Sequence, residues 1–127
     1  MNVFLDCRLL SNKPTGISRY TEQLIYFYSN YTKVSKLILI VNSKEMALPY
    51  GFDYLETKLS PFNILDCIKF SFLINKKNID LLHSPFYSSV FFNKRFIKVV
   101  SVMDLMYRII PHYFHSNKVI NFFKVNP

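Results

Sequence analysis

The sequence predicts an α/β fold with a doubly wound, mostly parallel sheet, and three observations carry that prediction. The chain opens on an apolar strand, Asn2-Val3-Phe4-Leu5-Asp6, that stops at an acidic residue and turns through Gly16 into an amphipathic helix. Lys36 to Val41 is a continuous apolar run, as expected of a strand buried on both faces. Helical and extended patterns then alternate along the chain, which favours parallel strands with helices on both sides of one sheet.

Taken in order, the first helix is predicted from about Ser18 to Tyr31, with Ile17, Tyr20, Leu24, Phe27, Tyr28 and Tyr31 as its apolar stripe. Residues 42 to 54 hold Asn42, Ser43, Pro49 and Gly51 and read as a loop, and Tyr54 to Leu59 as a short third strand. Ser60-Pro61 reads as an N-cap followed by the first helical residue. Phe62, Leu65, Ile68 and Phe72 follow at helical spacing, and Lys76 and Lys77 close that helix. Asp80 to His83 is a buried strand ended by Ser84-Pro85, and Phe96 to Val102 is a further strand that runs into Met103-Asp104-Leu105. A last helix is expected near Ser116.

With 127 residues the chain is one domain, and an apolar fraction of 50% makes it globular. A mean hydropathy of +0.13 is high for so small a domain and implies apolar surface covered by a partner, another domain or a membrane face. Sixteen Lys and Arg against eight Asp and Glu give a net charge of +8. That balance suits phosphorylated ligands or acidic lipid headgroups. Nucleic acid is disfavoured, because the lysines form no run of five and no RNA-recognition or zinc-finger signature is present. Cys7 and Cys67 lack paired spacing and read as buried free thiols of a reducing compartment. The N-terminus has no basic start and no apolar run reaches 18 residues, so a cytoplasmic protein is expected, in peripheral contact at most with the inner membrane surface.

Three strand ends carry polar residues: Asp6 with Arg8, His83 with Ser84, and Asp104. In a doubly wound fold these gather with Gly16 along the carboxyl edge of the sheet, where ligands bind. Singly, Asp6 serves as well to cap a turn, Asp104 to cap a helix, and His83 as a packed core histidine. Arg19 lies in the first turn after Gly16, within reach of an anion held at the helix N-terminus. His112 and His115 have i, i+3 spacing, but Pro111 and the lack of a following carboxylate argue against a metal site. Ser84 has no nucleophile elbow around it, and a single Gly16 in place of Gly-x-Gly-x-x-Gly argues against a nicotinamide cofactor.

Several of these segments resemble family 4 glycosyltransferases. Asn2 to Leu10 followed by Pro14-Thr15-Gly16-Ile17-Ser18-Arg19-Tyr20 is similar to the family's "I-D-x-R-x-L" strand and "G-I-[GS]-R-Y" turn. Asp80 to Pro85 resembles its fourth-strand motif, Val99 to Leu105 its "V-V-T-I-H-D-L", and Pro111-His112-Tyr113-Phe114 its "P-E-Y-F". The resemblance implies a GT-B architecture, two Rossmann-like domains facing across a cleft, of which this is the N-terminal, acceptor-side domain. It implies a metal-independent retaining enzyme with a nucleotide sugar as substrate, no cofactor, and a cell-envelope polysaccharide or glycolipid as acceptor. Gly16 and Ile17 would approach the donor phosphates or sugar with Arg19 in support, and Asp6, Arg8, His83 and Ser84 would line the acceptor cleft. Two departures stand out. Met103, beside Asp104, occupies the position of the family's active-site histidine, and methionine neither donates a strong hydrogen bond nor takes a proton. The 127 residues would also form a single incomplete domain without the donor-binding half, inactive unless a separate chain supplies it.

Overall fold

The computed structural model describes residues 1–13, 15–86, 90, 92 and 95–103. Five parallel strands form one sheet: β1 (Asn2–Asp6), β2 (Lys36–Val41), β3 (Asp53–Glu56), β4 (Leu81–Ser84) and β5 (Ile97–Val100). Their order, β3-β2-β1-β4-β5, is that of a Rossmann-like half-sheet. The order reverses between β1 and β4, where Leu5 stands opposite His83. The doubly wound fold expected from the sequence is the fold observed.

Alternation along the strands sorts the core into two layers. Val3 and Leu5 of β1, with Leu37, Leu39 and Val41 of β2, face α1 (Gly16–Asn30), where Ile25 and Tyr28 cover them. Phe4 and Ile40 face the other way, toward Phe70 and Ile74 of α2 (Ile64–Asn75). Between β2 and β3, two short 3₁₀ turns, Lys44–Met46 and Leu48–Tyr50, place Ala47 in the α1-side core. Gly51 ends the second turn with φ of 68°, a left-handed conformation that favours glycine.

β1 and β2 match their expected bounds, and β3 to β5 shift by a few residues. Both helices start elsewhere than expected. α1 begins at Gly16, because Thr15 caps it, its side chain accepting the Ser18 N–H at 3.1 Å. α2 begins three residues after Pro61, because the Asn63 Oδ1 accepts from both Leu65 and Asp66 N–H groups at 2.9 and 3.2 Å. Ser60 instead shapes the turn before it, its hydroxyl taking the Phe62 N–H and its own N–H going to Asp66.

The inward stripes are also corrected. On α1 the buried residues are Ser18, Thr21, Ile25 and Tyr28, while Phe27 and Tyr31 are exposed and stack on each other. On α2 the buried set is Cys67, Phe70, Ser71 and Ile74, and the stripe Phe62, Leu65, Ile68 and Phe72 lies outside. That helix is apolar on both faces, so periodicity alone chose the wrong one. Cys7 and Cys67 are buried and in no disulfide, as expected, and they lie on opposite sides of the sheet. The final strand's approach to Asp104, the Pro111 segment and the helix near Ser116 lie outside the described residues.

Candidate functional site at the carboxyl edge of the sheet

β1 ends in a buried ion pair. Asp6 and Arg8 have fully buried side chains, with the Arg8 Nη2 donating to Asp6 Oδ2 at 2.7 Å and Nε to Oδ1 at 2.9 Å. The third arm of the guanidinium, Nη1, donates to the Leu59 carbonyl at 3.0 Å, and the guanidinium Cζ lies 3.9 Å from the Phe70 ring centroid. The two-pronged carboxylate contact is the geometry arginine is built for. The Leu59 and Phe70 contacts join the end of β1 to the loop before α2 and to α2 itself. Asp6 and Arg8 therefore turn their charges to each other, inside the α2 layer.

His83 lies on the opposite side. Its neighbour on β1 is Leu5, which faces α1, and so does the imidazole. The His83 Nδ1 is 2.8 Å from the Tyr28 hydroxyl, and Nε2 is 3.0 Å from the Ser101 hydroxyl, which is in turn 3.0 Å from the Tyr20 hydroxyl. Burial pulls the His83 pKa below its ordinary value, and burial followed by the Tyr20 charge pushes Tyr28 up. A neutral imidazole has one donor and one acceptor nitrogen. Either Tyr28 donates to Nδ1 and protons point outward through Nε2–H and Ser101 to Tyr20, or every bond is reversed. The chain thus links a buried phenol to the half-exposed Tyr20 and Ser101 and suits proton relay along the edge.

Tyr20 is one turn beyond Gly16, on the same face of α1. An ideal Cβ placed on Gly16 would meet nothing within 4 Å, and its φ is not positive. Neither the backbone nor the packing of this domain demands glycine there. Gly16→Ala is accordingly expected to fold normally and to gain up to about 1 kcal/mol from the unfolded chain's lost freedom, read as an unchanged or higher Tm. Arg19 is exposed beside it. Ser84 is buried, and its carbonyl accepts the Ser101 N–H at 2.9 Å.

Two concavities flank this edge. One of about 340 Å³ lies between Leu10, Asn12, Glu22, Glu45 and Tyr50 on the α1 side. The other, about 460 Å³, lies between Leu9, Asn42, Lys58, Ser60 and Phe62 on the α2 side. Among the described residues, no group of histidine, cysteine and carboxylate side chains is arranged to hold a metal.

The sequence-predicted residues are thus divided by the sheet. Gly16, Ile17, Arg19 and His83 share the α1 side, and Asp6 and Arg8 belong to the α2 side. Asp104 lies outside the described residues. Met103 is 49% exposed just beyond β5. Sequence reasoning missed Tyr20, Tyr28 and Ser101. The signal was present in Tyr20, Leu24 and Tyr28 at i, i+4 and i+8, since a tyrosine on a core stripe needs a partner for its hydroxyl. Compared with known proteins, the chain matches no family model, no curated protein and no solved structure.

Proposed function

We propose that this chain forms the acceptor-side, Rossmann-like domain of a retaining GT-B glycosyltransferase, which moves a sugar from a nucleotide-sugar donor to a cell-envelope polysaccharide or glycolipid. The observation that carries the reading is the convergence of the Gly16 start of α1 with the Tyr20–Ser101–His83 chain, at the reversal point of a parallel sheet. Open α/β sheets bind ligands at that crevice, and a helix N-terminus there offers unpaired N–H groups to a diphosphate. α1 has no acidic residue in its first turn to oppose an anion, and Arg19 adds a cation. The open space at Gly16 gives a ligand room to touch the backbone. Transfer needs a second, donor-binding domain across the cleft, so this domain alone is expected to bind without turnover.

The test is amide chemical-shift mapping during titration with a nucleoside diphosphate and with nucleotide sugars. Shifts confined to Gly16–Arg19 and Ser101, weakened in Gly16→Ala, support the reading; shifts elsewhere, or none, overturn it. Sugar transfer by the isolated domain would overturn the requirement for a facing domain.

A second reading, a binding module without chemistry, is favoured by Met103 at the family's histidine position. Met103→His separates the two when a donor domain is supplied: increased transfer supports the enzyme, and unchanged transfer with intact binding supports the module.

A further inference from the structure

The hydroxyl and imidazole chain on the α1 side of the edge has a direction, and Tyr28 sets it. Tyr28 sits in the α1-side core, 8% exposed, and its ring meets Phe27 and His83 edge to face at 5.4 and 5.9 Å. Those contacts hold the ring in place, and its hydroxyl reaches His83 Nδ1 at 2.8 Å in a buried hydrogen bond. Among the described residues, that nitrogen is the one hydrogen-bond partner of the Tyr28 hydroxyl. A hydroxyl carries a single hydrogen, which needs an acceptor once it is buried. If Nδ1 carried the ring hydrogen, the Tyr28 hydrogen would point into apolar packing with nothing to receive it. If Tyr28 donates, both atoms are satisfied. Burial keeps the imidazole neutral, with one hydrogen, and that hydrogen therefore resides on Nε2.

A count of hydrogens gives the consequence. Nε2–H donates to the Ser101 hydroxyl at 3.0 Å, and the Ser101 and Tyr20 hydroxyls lie 3.0 Å apart. These two hydroxyls hold two hydrogens, and the bond between them uses one. With Nε2 as donor, the second hydrogen is left over and is presented outward, from Tyr20 or from Ser101. With Nε2 as acceptor, both hydrogens would be spent inside the chain, and the pair would offer only lone pairs. The tautomer of one buried ring thus decides whether this stretch of the edge donates or accepts. A donor agrees with its surroundings. Tyr20 is one turn from Gly16, the first turn of α1 has no acidic residue, and Arg19 is exposed beside it. Linked hydrogen bonds polarise one another, so the outermost hydroxyl is a stronger donor than an isolated one.

We infer that Tyr28 is a positioning residue that locks His83 as its Nε2–H tautomer, so that the Tyr20–Ser101 pair donates a hydrogen bond to an oxyanion of the ligand. The same lock selects against a ligand that offers a hydrogen at that point. The oxyanion is a diphosphate oxygen, an assignment that rests on the reading of the site proposed above. Tyr20 and Ser101 are the groups in contact with ligand, and Tyr28 acts only through His83.

Nitrogen NMR of the isotopically labelled whole chain, reading the two ring nitrogens of His83, tests the lock. A protonated Nε2 and a bare Nδ1 are expected in the parent, and a shift toward a mixture of both tautomers in Tyr28→Phe. Titration with inorganic pyrophosphate, followed by the Gly16–Arg19 amides, tests what the lock serves. Tyr20→Phe with Ser101→Ala should weaken binding roughly tenfold or more, the worth of a hydrogen bond to a charged oxygen. Tyr28→Phe keeps both hydroxyls and should weaken it about twofold, because equally populated tautomers leave half of the molecules with the donor in place. Circular dichroism confirms that the variants fold, and the tautomer of the parent needs no variant. A protonated Nδ1 in the parent, or ring signals in Tyr28→Phe that match the parent's, overturns the inference even where pyrophosphate binds. A protonated Nε2 without pyrophosphate binding supports the lock but overturns the diphosphate assignment, and the proposed function with it.

Discussion

Arg8→Ala is expected to destabilise the fold by roughly 3–5 kcal/mol, a large part of the whole stability of a domain of this size. The loss has three sources at one position. Asp6 is left in a buried site without its counter-ion, the Leu59 carbonyl loses its donor, and the Phe70 ring loses the cation above it. Arg8→Lys does not rescue, because an ammonium cannot hold both carboxylate oxygens and reach Leu59 together. Removing both charges is a different experiment. Asp6→Leu with Arg8→Met leaves no uncompensated ion and is expected to recover most of the loss, as buried pairs replaced by apolar side chains of similar volume often do. Urea denaturation of the two single variants and the double variant gives the coupling directly. If Arg8→Ala costs less than about 1 kcal/mol, the pair is not what clamps the end of β1 to the α2 layer. Both residues would then be open to a role in contact with ligand.

The sequence disclosed the sheet better than the helices' orientation, for a physical reason. β1 and β2 are central and buried on both faces, so their limits follow from apolar runs. A helix leaves a choice of face. For α2 the regular stripe Phe62, Leu65, Ile68 and Phe72 competes with Cys67, Phe70 and Ile74, and only packing against Phe4 and Ile40 decides between them. For α1 the choice was obscured because Ser18 and Thr21, small and polar, fill the crowded half of the inner face under the loop after β1. There the Ser18 hydroxyl meets Ser11 and the Thr21 hydroxyl bonds the Ile17 carbonyl.

The candidate site was legible as a set of strand ends and illegible as an arrangement. That Asp6, Arg8 and His83 lie at carboxyl ends follows from the strand order. That one pair points into the α2 layer and the histidine toward α1 follows from where each strand's alternation stops, which a single residue's shift reverses. The partners of His83 were harder still. Ser101 comes from beyond the neighbouring strand, and Tyr20 and Tyr28 from a helix whose inward face the sequence left ambiguous. The division of the site by the sheet also assigns its parts different work. The Asp6–Arg8 pair holds the edge in shape, and the residues on the α1 side have hydroxyl and imidazole groups to present.

That division makes the fold sensitive to acid at His83. His83 is held neutral between Tyr28 and Ser101, because burial disfavours its charged form and neither neighbour is a carboxylate. Its folded pKa is therefore below that of the unfolded chain, near 6.5. The sign follows from proton uptake: below that pH the unfolded chain binds the proton first, so the stability from neutral His83 is complete above about 6.5 and is lost as pH falls toward the lowered folded value. Within that window the loss is at most about 1.4 kcal/mol per pH unit, the free energy of one proton taken up on unfolding. His83→Gln removes the titration while keeping a donor and an acceptor for the two hydroxyls, and it is expected to cost about 1 kcal/mol at neutral pH through imperfect hydrogen-bond geometry. Urea denaturation of parent and variant from pH 7.5 down to about 5.5 should show two curves that converge on acidification. Parallel curves would mean that His83 has the same affinity for protons folded and unfolded, and that the Tyr28–His83–Ser101–Tyr20 chain is open enough to water to take up a charge.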